Sequence, residues 1–371
     1  MIYLTEARTA CTEELTFMDE VSYPQRVHWF PETLRMKQTG MIYAPHKTAE
    51  KVMDAELLKT LRENPVKTAF ILASGNSHFS GIEPRDFGNT RLTYTYKFLP
   101  LALTQVYAGR MASACGAYDM VITDASACAS SLKVMMDVQQ LARIYGFDRV
   151  IVLGVEDQVA NSVLHFFGEA GACLTAKDDE KVLPSAFDEV NYGFHIGQGA
   201  VFAVFETEES MKKTGFKPKA QLLGAYTAAE EYTNAIGQRE DGEGFKRAIE
   251  GAMYVAQVQA FKLRTVKTHG TGTKSNNMAE RSALCSVLKD FVATSFKQRI
   301  GHTMGASGLL ETVLLLDSIK NGSIPPIPNR TDQDSVFLSE SAPAEKGGLI
   351  LSLAAGMGNV YSAAIFKDAQ C

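Results

Sequence analysis

Three residues stand in turns of small side chains, where a reactive group has room to work: Cys128, His269 and His302. Cys128 sits within Thr123–Ser131, among alanines and serines that let the backbone bend sharply and leave space for a substrate. The stretch follows an apolar run and opens a helical pattern, so the thiol falls at a helix N-terminus. Unpaired N–H groups and the positive end of the helix dipole favour thiolate there. The Cys128 N–H is also placed to stabilise an oxyanion. His269 lies in Lys267–Thr273, where alternating Gly and Thr permit close backbone approach and offer hydroxyls to a polar ligand arm. His302 lies in Gly301–Gly308, a second glycine-rich turn. A tightly packed cysteine or a structural histidine explains any one of these alone. Metal binding is the rival use of Cys and His, but 128, 269 and 302 give no local ligand pair of the zinc type. No metal site is expected. A Cys–His hydrolase also fits one cysteine with distant histidines, whereas two histidines suit an oxyanion formed when a malonyl-type thioester loses carbon dioxide.

The elements that must hold these turns alternate in type. Strands are expected at Lys67–Ala73, Met120–Asp124, Arg149–Gly154, Gly199–Glu206, Ala220–Ala225, Arg264–Thr268, Gln298–Ile300, Gly348–Leu353 and Val360–Phe366. Helices are expected near 47–62 and over Phe98–Gly116, Ala127–Tyr145, Gly244–Leu263, Met278–Leu288 and Gly305–Ile319. Residues 1–65 carry little readable pattern. The alternation predicts an α/β architecture with buried sheets. A strand, a turn of small residues and an apolar helix recur around Cys128 and His302, which hints at an internal duplication. Glu311 interrupts an apolar helix, and a carboxylate there needs a partner.

Bulk properties bound the rest. The chain has 371 residues, 46% hydrophobic and 21% charged, with formal net charge -5. That predicts a soluble globular protein and argues against a general nucleic-acid binder. The start shows no signal-peptide pattern, and no run approaches the roughly 20 apolar residues of a membrane span. A cytoplasmic location is expected, and the six scattered cysteines read as free thiols.

The cysteine turn, His269–Thr273 and Gly301–Gly308 together resemble the elongating β-ketoacyl-acyl carrier protein synthases of the thiolase superfamily. Phe187–Gly199, Lys297, Glu311 and Asn276–Glu280 fall in order with that family's motifs, and the likeness runs over roughly residues 67–371. The resemblance implies a thiolase-like fold of two pseudo-duplicated α/β halves in five layers. The N-terminal half, 1–207, would carry the nucleophile, and the C-terminal half, 208–371, both histidines. It implies a decarboxylative Claisen condensation. Cys128 takes the acyl chain, and His269 and His302 hold the extender thioester. Lys297 and Glu311 order the site. The N–H groups of Cys128 and Ala355 form the oxyanion hole, and Thr271 and Thr273 bind the phosphopantetheine arm. That arm arrives on an acyl carrier protein, so no resident cofactor is expected. The implied partners are that carrier and a second chain, giving a homodimer or a heterodimer with a related ketosynthase-like chain. Arg264, Lys267 and Lys274 are candidates for a basic patch facing the acidic carrier.

The departures are as specific as the likeness. Residues 1–65 lack the family's opening glycine-rich turn. Leu353–Gly358 stands where the family has Phe-Gly-Phe-Gly-Gly, so Ala355 replaces a gating phenylalanine, and Gln198 stands for a Glu. These point to a divergent member of a specialised fatty-acyl, polyketide or polyene pathway. The alternatives are a non-condensing chain-length partner subunit, which usually lacks the cysteine, and an acyltransferase or decarboxylase of the same fold. A degradative thiolase would place a second cysteine in the C-terminal loop, which reads Ala-Ala-Gly-Met-Gly here.

Overall fold

A computed structural model describes residues 1–11, 13–17, 25–29, 48–49, 51–75, 104–156, 161–175, 181–231, 236–332 and 336–369. The expected helical stretch at 98–103, the loop after residue 75 and Cys371 lie outside the described residues. In chain order the elements are β1 (Ile2–Cys11), β2 (Glu13–Phe17), β3 (Gln25–Trp29), α1 (Ala55–Glu63), β4 (Thr68–Ala73), α2 (Thr104–Cys115), β5 (Met120–Asp124), α3 (Ser130–Arg143), β6 (Arg149–Glu156), α4 (Asn161–Glu169), β7 (Ile196–Gly197), β8 (Gly199–Thr207) and α5 (Glu208–Thr214). The second part adds β9 (Ala220–Ala229), α6 (Glu243–Ala256), β10 (Leu263–Lys267), α7 (Lys274–Val287), β11 (Val292–Thr294), α8 (Lys297–Ile300), α9 (Ser307–Lys320), β12 (Ser323–Ile324), β13 (Ala342–Pro343), β14 (Leu349–Gly356) and β15 (Val360–Asp368).

Ten strands lie side by side in the order β11-β10-β14-β15-β9-β1-β8-β6-β4-β5. The order contains one pattern twice. In β5-β4-β6-β8-β1 the first two junctions are parallel and the last two antiparallel. In β11-β10-β14-β15-β9 the same senses recur at the same places. Taken in chain order within each group of five, both read third, second, fourth, fifth, first. The two groups meet at a short junction between β1 and β9, where Tyr3 faces Gln221 and Leu4 faces Ala220.

Side-chain burial explains the layering. Successive strand residues point to opposite faces, so a strand covered on both faces is apolar throughout. In β4, Ala69, Ile71 and Ala73 enter a central core, while Phe70 and Leu72 enter an outer one. In β14, Ile350 and Ala354 face the central core, and Leu351, Leu353 and Ala355 face a third. Leu132, Met135 and Val138 of α3 and Leu309, Leu310 and Leu316 of α9 fill the central core between the two groups of strands. Outside the first group lie Leu57 and Leu61 of α1 with Tyr107 and Met111 of α2. Outside the second lie Phe245 and Ile249 of α6 with Leu284 of α7. The result is helix, sheet, helix, sheet, helix: the five layers expected. α3 and α9 are helices of 14 residues, each entered through a 3-10 turn, Ala127–Ala129 and Met304–Ala306. Their starts interlock, since Leu309 N–H donates to Ser131 Oγ at 3.0 Å.

Two expected elements differ. Gln298–Ile300 is no strand: Arg299 and Ile300 N–H both donate to Phe296 O, closing a single helical turn. The strand of that unit is Val292–Thr294, and three residues are too few for alternation to be read. The helix expected to run to Leu263 ends at Ala256, where Gln257 takes a left-handed conformation with φ 54°. Among the described residues no helix is long and apolar enough to cross a membrane.

Candidate active site

The strand ends of both halves converge on one pocket. Cys128, His269, His302, Thr271, Thr273 and Ala355 all line it, together with Phe167, Phe194 and Met357. Cys128, His269, His302 and Ala355 each come from a different feature of the duplicated pattern. Cys128 is the middle residue of the 3-10 turn after β5. His269 follows β10, His302 follows α8, and Ala355 lies near the end of β14.

The turn of Cys128 is tightly constrained. Ala127 adopts φ 47°, and Met304, at the equivalent place in the second half, φ 41°. Such left-handed backbone is uncommon for non-glycine residues and is sustained by the surrounding packing. Gly356 runs against this turn: a Cβ on it would lie 2.6 Å from Ser126 O. The Cys128 Sγ is buried and sits 3.8 Å from Met304 Sδ. Burial pushes the thiol up to about 12; Lys297 pulls it the other way and Glu156 reinforces the rise. Burial thus opposes the thiolate that the turn's N–H groups were expected to favour.

The histidines face each other edge to face, with ring centroids 5.8 Å apart and planes at 79°. His302 Nδ1 accepts the Met304 N–H at 3.2 Å, which places its own proton on Nε2. Phe194 presents an edge contact to the His302 ring at 5.0 Å. Backbone bonds fix the same turn to the first half: His302 N–H donates to His195 O at 2.7 Å, and Gly197 N–H to His302 O at 3.0 Å. The Phe187–Gly199 stretch thus supports the second histidine. Burial drives both histidines well below the usual imidazole range, and Lys297 adds to the shift. Both rings are neutral near pH 7.

The loop of His269 is clamped from below. Glu280 accepts from the N–H of His269 at 2.5 Å, from Gly270 N–H at 2.9 Å and from Asn276 Nδ2 at 3.0 Å. Gln298 Nε2 and Ser295 Oγ both donate to Gly270 O. Gly272 has φ +76°, and a Cβ on it would lie 1.9 Å from Ser185 O, so no other residue fits there. Thr271 and Thr273 place their hydroxyls 3.1 Å apart at the pocket wall.

Lys297 and Glu311 form a fully buried pair, Nζ to Oε1 at 2.8 Å and to Oε2 at 3.1 Å. A second lysine shares that carboxylate: Lys267 Nζ lies 3.3 Å from Glu311 Oε2. Lys267 is fully buried, which removes it from the expected basic patch. Arg264 of that patch is paired with Asp290 at 2.5 Å, and Lys274 is exposed beside Thr273. Sequence reasoning also passed over Glu156. Its carboxylate accepts from Gly75 N–H at 2.6 Å, Gly305 N–H at 3.0 Å and Ser74 Oγ at 3.1 Å, joining the turns that flank Cys128 across the two halves. A lone Glu ending a strand carries no pattern that would have signalled this. Among the described residues no cluster of His, Cys, Asp and Glu is arranged to hold a metal ion.

Known proteins are similar to this chain in sequence and in fold. A family model described as "Beta-ketoacyl synthase, N-terminal domain" matches residues 35–210, and "Beta-ketoacyl synthase, C-terminal domain" matches 219–331. The chain is 26% identical to 3-oxoacyl-[acyl-carrier-protein] synthase 2 of Vibrio harveyi over 298 residues, 76% of this chain and 70% of that protein. It is 28% identical to the oxytetracycline polyketide putative beta-ketoacyl synthase 1 of Streptomyces rimosus over 250 residues, 65% of this chain but 58% of that protein. A solved type II polyketide acyl-carrier protein complex with its ketosynthase superposes with TM-score 0.84 at 18% identity, covering 99% of both chains. A beta-ketoacyl synthase from Burkholderia phymatum gives TM-score 0.80 at 18% identity, over 99% of both chains.

Proposed function

Because this chain belongs to the β-ketoacyl synthase family and has its thiolase-like fold, we propose that it condenses an acyl chain held on Cys128 with a malonyl thioester carried by an acyl carrier protein. The reading rests above all on one observation: a buried thiol and two neutral, edge-facing imidazoles line the same pocket.

The chemistry follows from those groups. Cys128 attacks the acyl-carrier thioester; its S–H proton leaves as the S–C bond forms, and the carrier thiol departs with a proton. The oxyanion passed through on the way is held by the N–H groups of Cys128 and Ala355. The malonyl thioester carbonyl then lies against His269 and His302. A neutral imidazole donates a hydrogen bond without losing its proton, and His302 has Nε2–H free for that task because Met304 occupies Nδ1. As the carboxylate C–C bond breaks, carbon dioxide leaves and the electron pair delocalises onto the thioester oxygen, where the two donors stabilise it. The carbanion attacks acyl-Cys128. Collapse of that intermediate frees the Cys128 sulfur and releases a β-ketoacyl thioester two carbons longer. Lys297 and Glu311 hold the floor beneath the histidines, while Thr271 and Thr273 offer hydroxyls to the pantetheine arm. Ala355, in place of a bulky side chain, leaves the wall beside Cys128 unobstructed. We further propose that residues 1–207 and 208–371 act as the two structural units of this site.

The test is incubation with acyl- and malonyl-carrier protein, followed by intact mass and product analysis. Wild-type protein should acquire the acyl mass on Cys128 and yield an elongated product, and Cys128→Ala should acquire none. Carbon dioxide release without elongation would identify a decarboxylase. Acyl exchange alone would identify a transferase. Neither activity would identify a non-condensing partner subunit.

A further inference from the structure

Lys267 is an unusual residue to find where it is. It is the last residue of β10, two positions before His269, and it is completely buried. An ammonium group in such a place is costly unless its donors are satisfied. Two of its partners are specific. Besides Glu311 Oε2, Nζ donates to the Leu353 main-chain oxygen at 2.7 Å, the shorter of the two bonds. Leu353 belongs to β14, two residues before Ala355, and the same strand then passes against the turn of Cys128 at Gly356. Lys267 therefore connects the carboxylate beneath the histidines to the strand end that lines the pocket beside the thiol. The buried charges around it balance in number: Lys267 and Lys297 against Glu311 and Glu280, with Glu280 among the groups that act on Lys267. Burial lowers the Lys267 ammonium to about 8, with Glu311 opposing that shift and Lys297 adding to it.

We propose that Lys267 is a positioning residue that anchors the Leu353–Ala355 end of β14, through its bond to Leu353 O, so that the Ala355 N–H is aligned with the oxyanion formed at Cys128. The inference rests on the oxyanion role proposed for Ala355, and not on which thioester is the natural substrate. It makes a selective demand. Reactions of Cys128 that pass through a tetrahedral oxyanion depend on Lys267; reactions of the same sulfur that form no oxyanion do not.

Two probes separate these cases. With p-nitrophenyl acetate, the S–H proton passes to buffer, the S–C bond forms and the carbonyl pair moves to oxygen. Collapse then expels p-nitrophenolate and leaves acetyl-Cys128. With iodoacetamide, the sulfur displaces iodide at a saturated carbon and no oxyanion arises. Lys267→Met removes the donor, and Lys267→Gln keeps a shorter neutral one. Each is compared with wild type by stopped assay and by mass of the Cys128 peptide. Small misplacements of catalytic groups can cost about 100-fold, and loss of one oxyanion donor about 100- to 1000-fold. Acetylation should therefore fall about 10- to 100-fold in K267M and less in K267Q, while alkylation stays within about threefold of wild type. Equal acetylation rates in K267M and wild type would overturn the proposal, as would a parallel loss of both reactions in a folded variant. Absence of acetylation in wild type would overturn it too, by removing the oxyanion site itself. The condensation reading is judged separately, by elongation of carrier-bound chains in the wild type. If K267M does not fold, K267Q carries the comparison.

Discussion

The Sγ of Cys128 and the Sδ of Met304 lie 3.8 Å apart, and each belongs to the 3-10 turn that opens the central helix of its own half. The contact joins equivalent elbows of the duplicated pattern. It also puts an apolar thioether where water would otherwise solvate a thiolate. Met304 is thus part of the reason the thiol is held in its neutral form.

This predicts the reactivity of Cys128 toward iodoacetamide. With the thiol at about 12, thiolate is scarce at pH 8, and its fraction grows about tenfold per pH unit below that value. The alkylation rate should rise steeply from pH 8 to 11 with no plateau. Met304→Ala admits water and should raise the rate at pH 8 by about three- to tenfold. A plateau near pH 7 in the wild type would show that the elbow's N–H groups dominate after all.

Glu311 holds two buried ammonium groups, Lys297 and Lys267. Removing one partner of a buried pair typically costs about 3–5 kcal/mol because a desolvated charge is left behind. Glu311→Gln strands two such charges. Its urea midpoint should fall well below that of Lys297→Met, which leaves Glu311 paired with Lys267. The double variant Lys297→Met, Glu311→Gln should recover part of the loss. If the loss in the double variant is simply the sum of the two single losses, the groups are not coupled as the geometry implies.

Both histidines titrate well below the usual range because burial disfavours their charged form. Two consequences follow. Malonyl decarboxylation should stay level between about pH 8 and 6, since neither ring changes charge there. Stability behaves differently. Below about pH 6.5 the unfolded chain takes up protons that the folded protein does not, so stability falls with pH, by up to about 1.4 kcal/mol per unit for each ring. Urea unfolding at pH 7.5 and 5.5 should show this loss, and His269→Gln with His302→Gln should lessen it. An unchanged pH dependence in that double variant would place the titrating groups elsewhere.

What could be read from sequence depended on how each element is buried. β4, β6 and β8 are covered on both faces, so their apolar runs stand out. The turns of Cys128, His269 and His302 stand out because chemistry and close approach both demand small residues. β1 did not, although it lies at the junction of the two halves. Its Glu6 and Arg8 pair with each other at 2.7 Å and interrupt the alternation. Lys267 was equally opaque. A lysine ending a strand reads as a surface charge, and its burial depends on Glu311, 44 residues away. Glu156 depends on Gly305, 149 residues away. Such contacts come from the meeting of two halves, which no local window contains.

The two ends of the ten-stranded sheet differ in a way that predicts assembly. At one end the outer side of β11 is occupied: Ala293 N–H donates to Val336 O at 2.7 Å and Leu338 N–H to Ala293 O at 3.0 Å. At the other end β5 pairs with β4, and among the described residues no strand pairs with its outer side. Met120 is 37% exposed there and the preceding Tyr118 76%. An open strand edge with apolar neighbours is a template for pairing with another chain. The expected partner is a second copy, β5 against β5, or a related ketosynthase-like chain. Light scattering should give twice the chain mass for wild type at micromolar concentration. Met120→Lys with Thr123→Lys puts like charges along the edge and should yield monomers. A wild-type monomer that forms heterodimers on co-expression with a related chain would favour the second assembly. A dimer indifferent to both lysines would mean that the chains associate through some other surface.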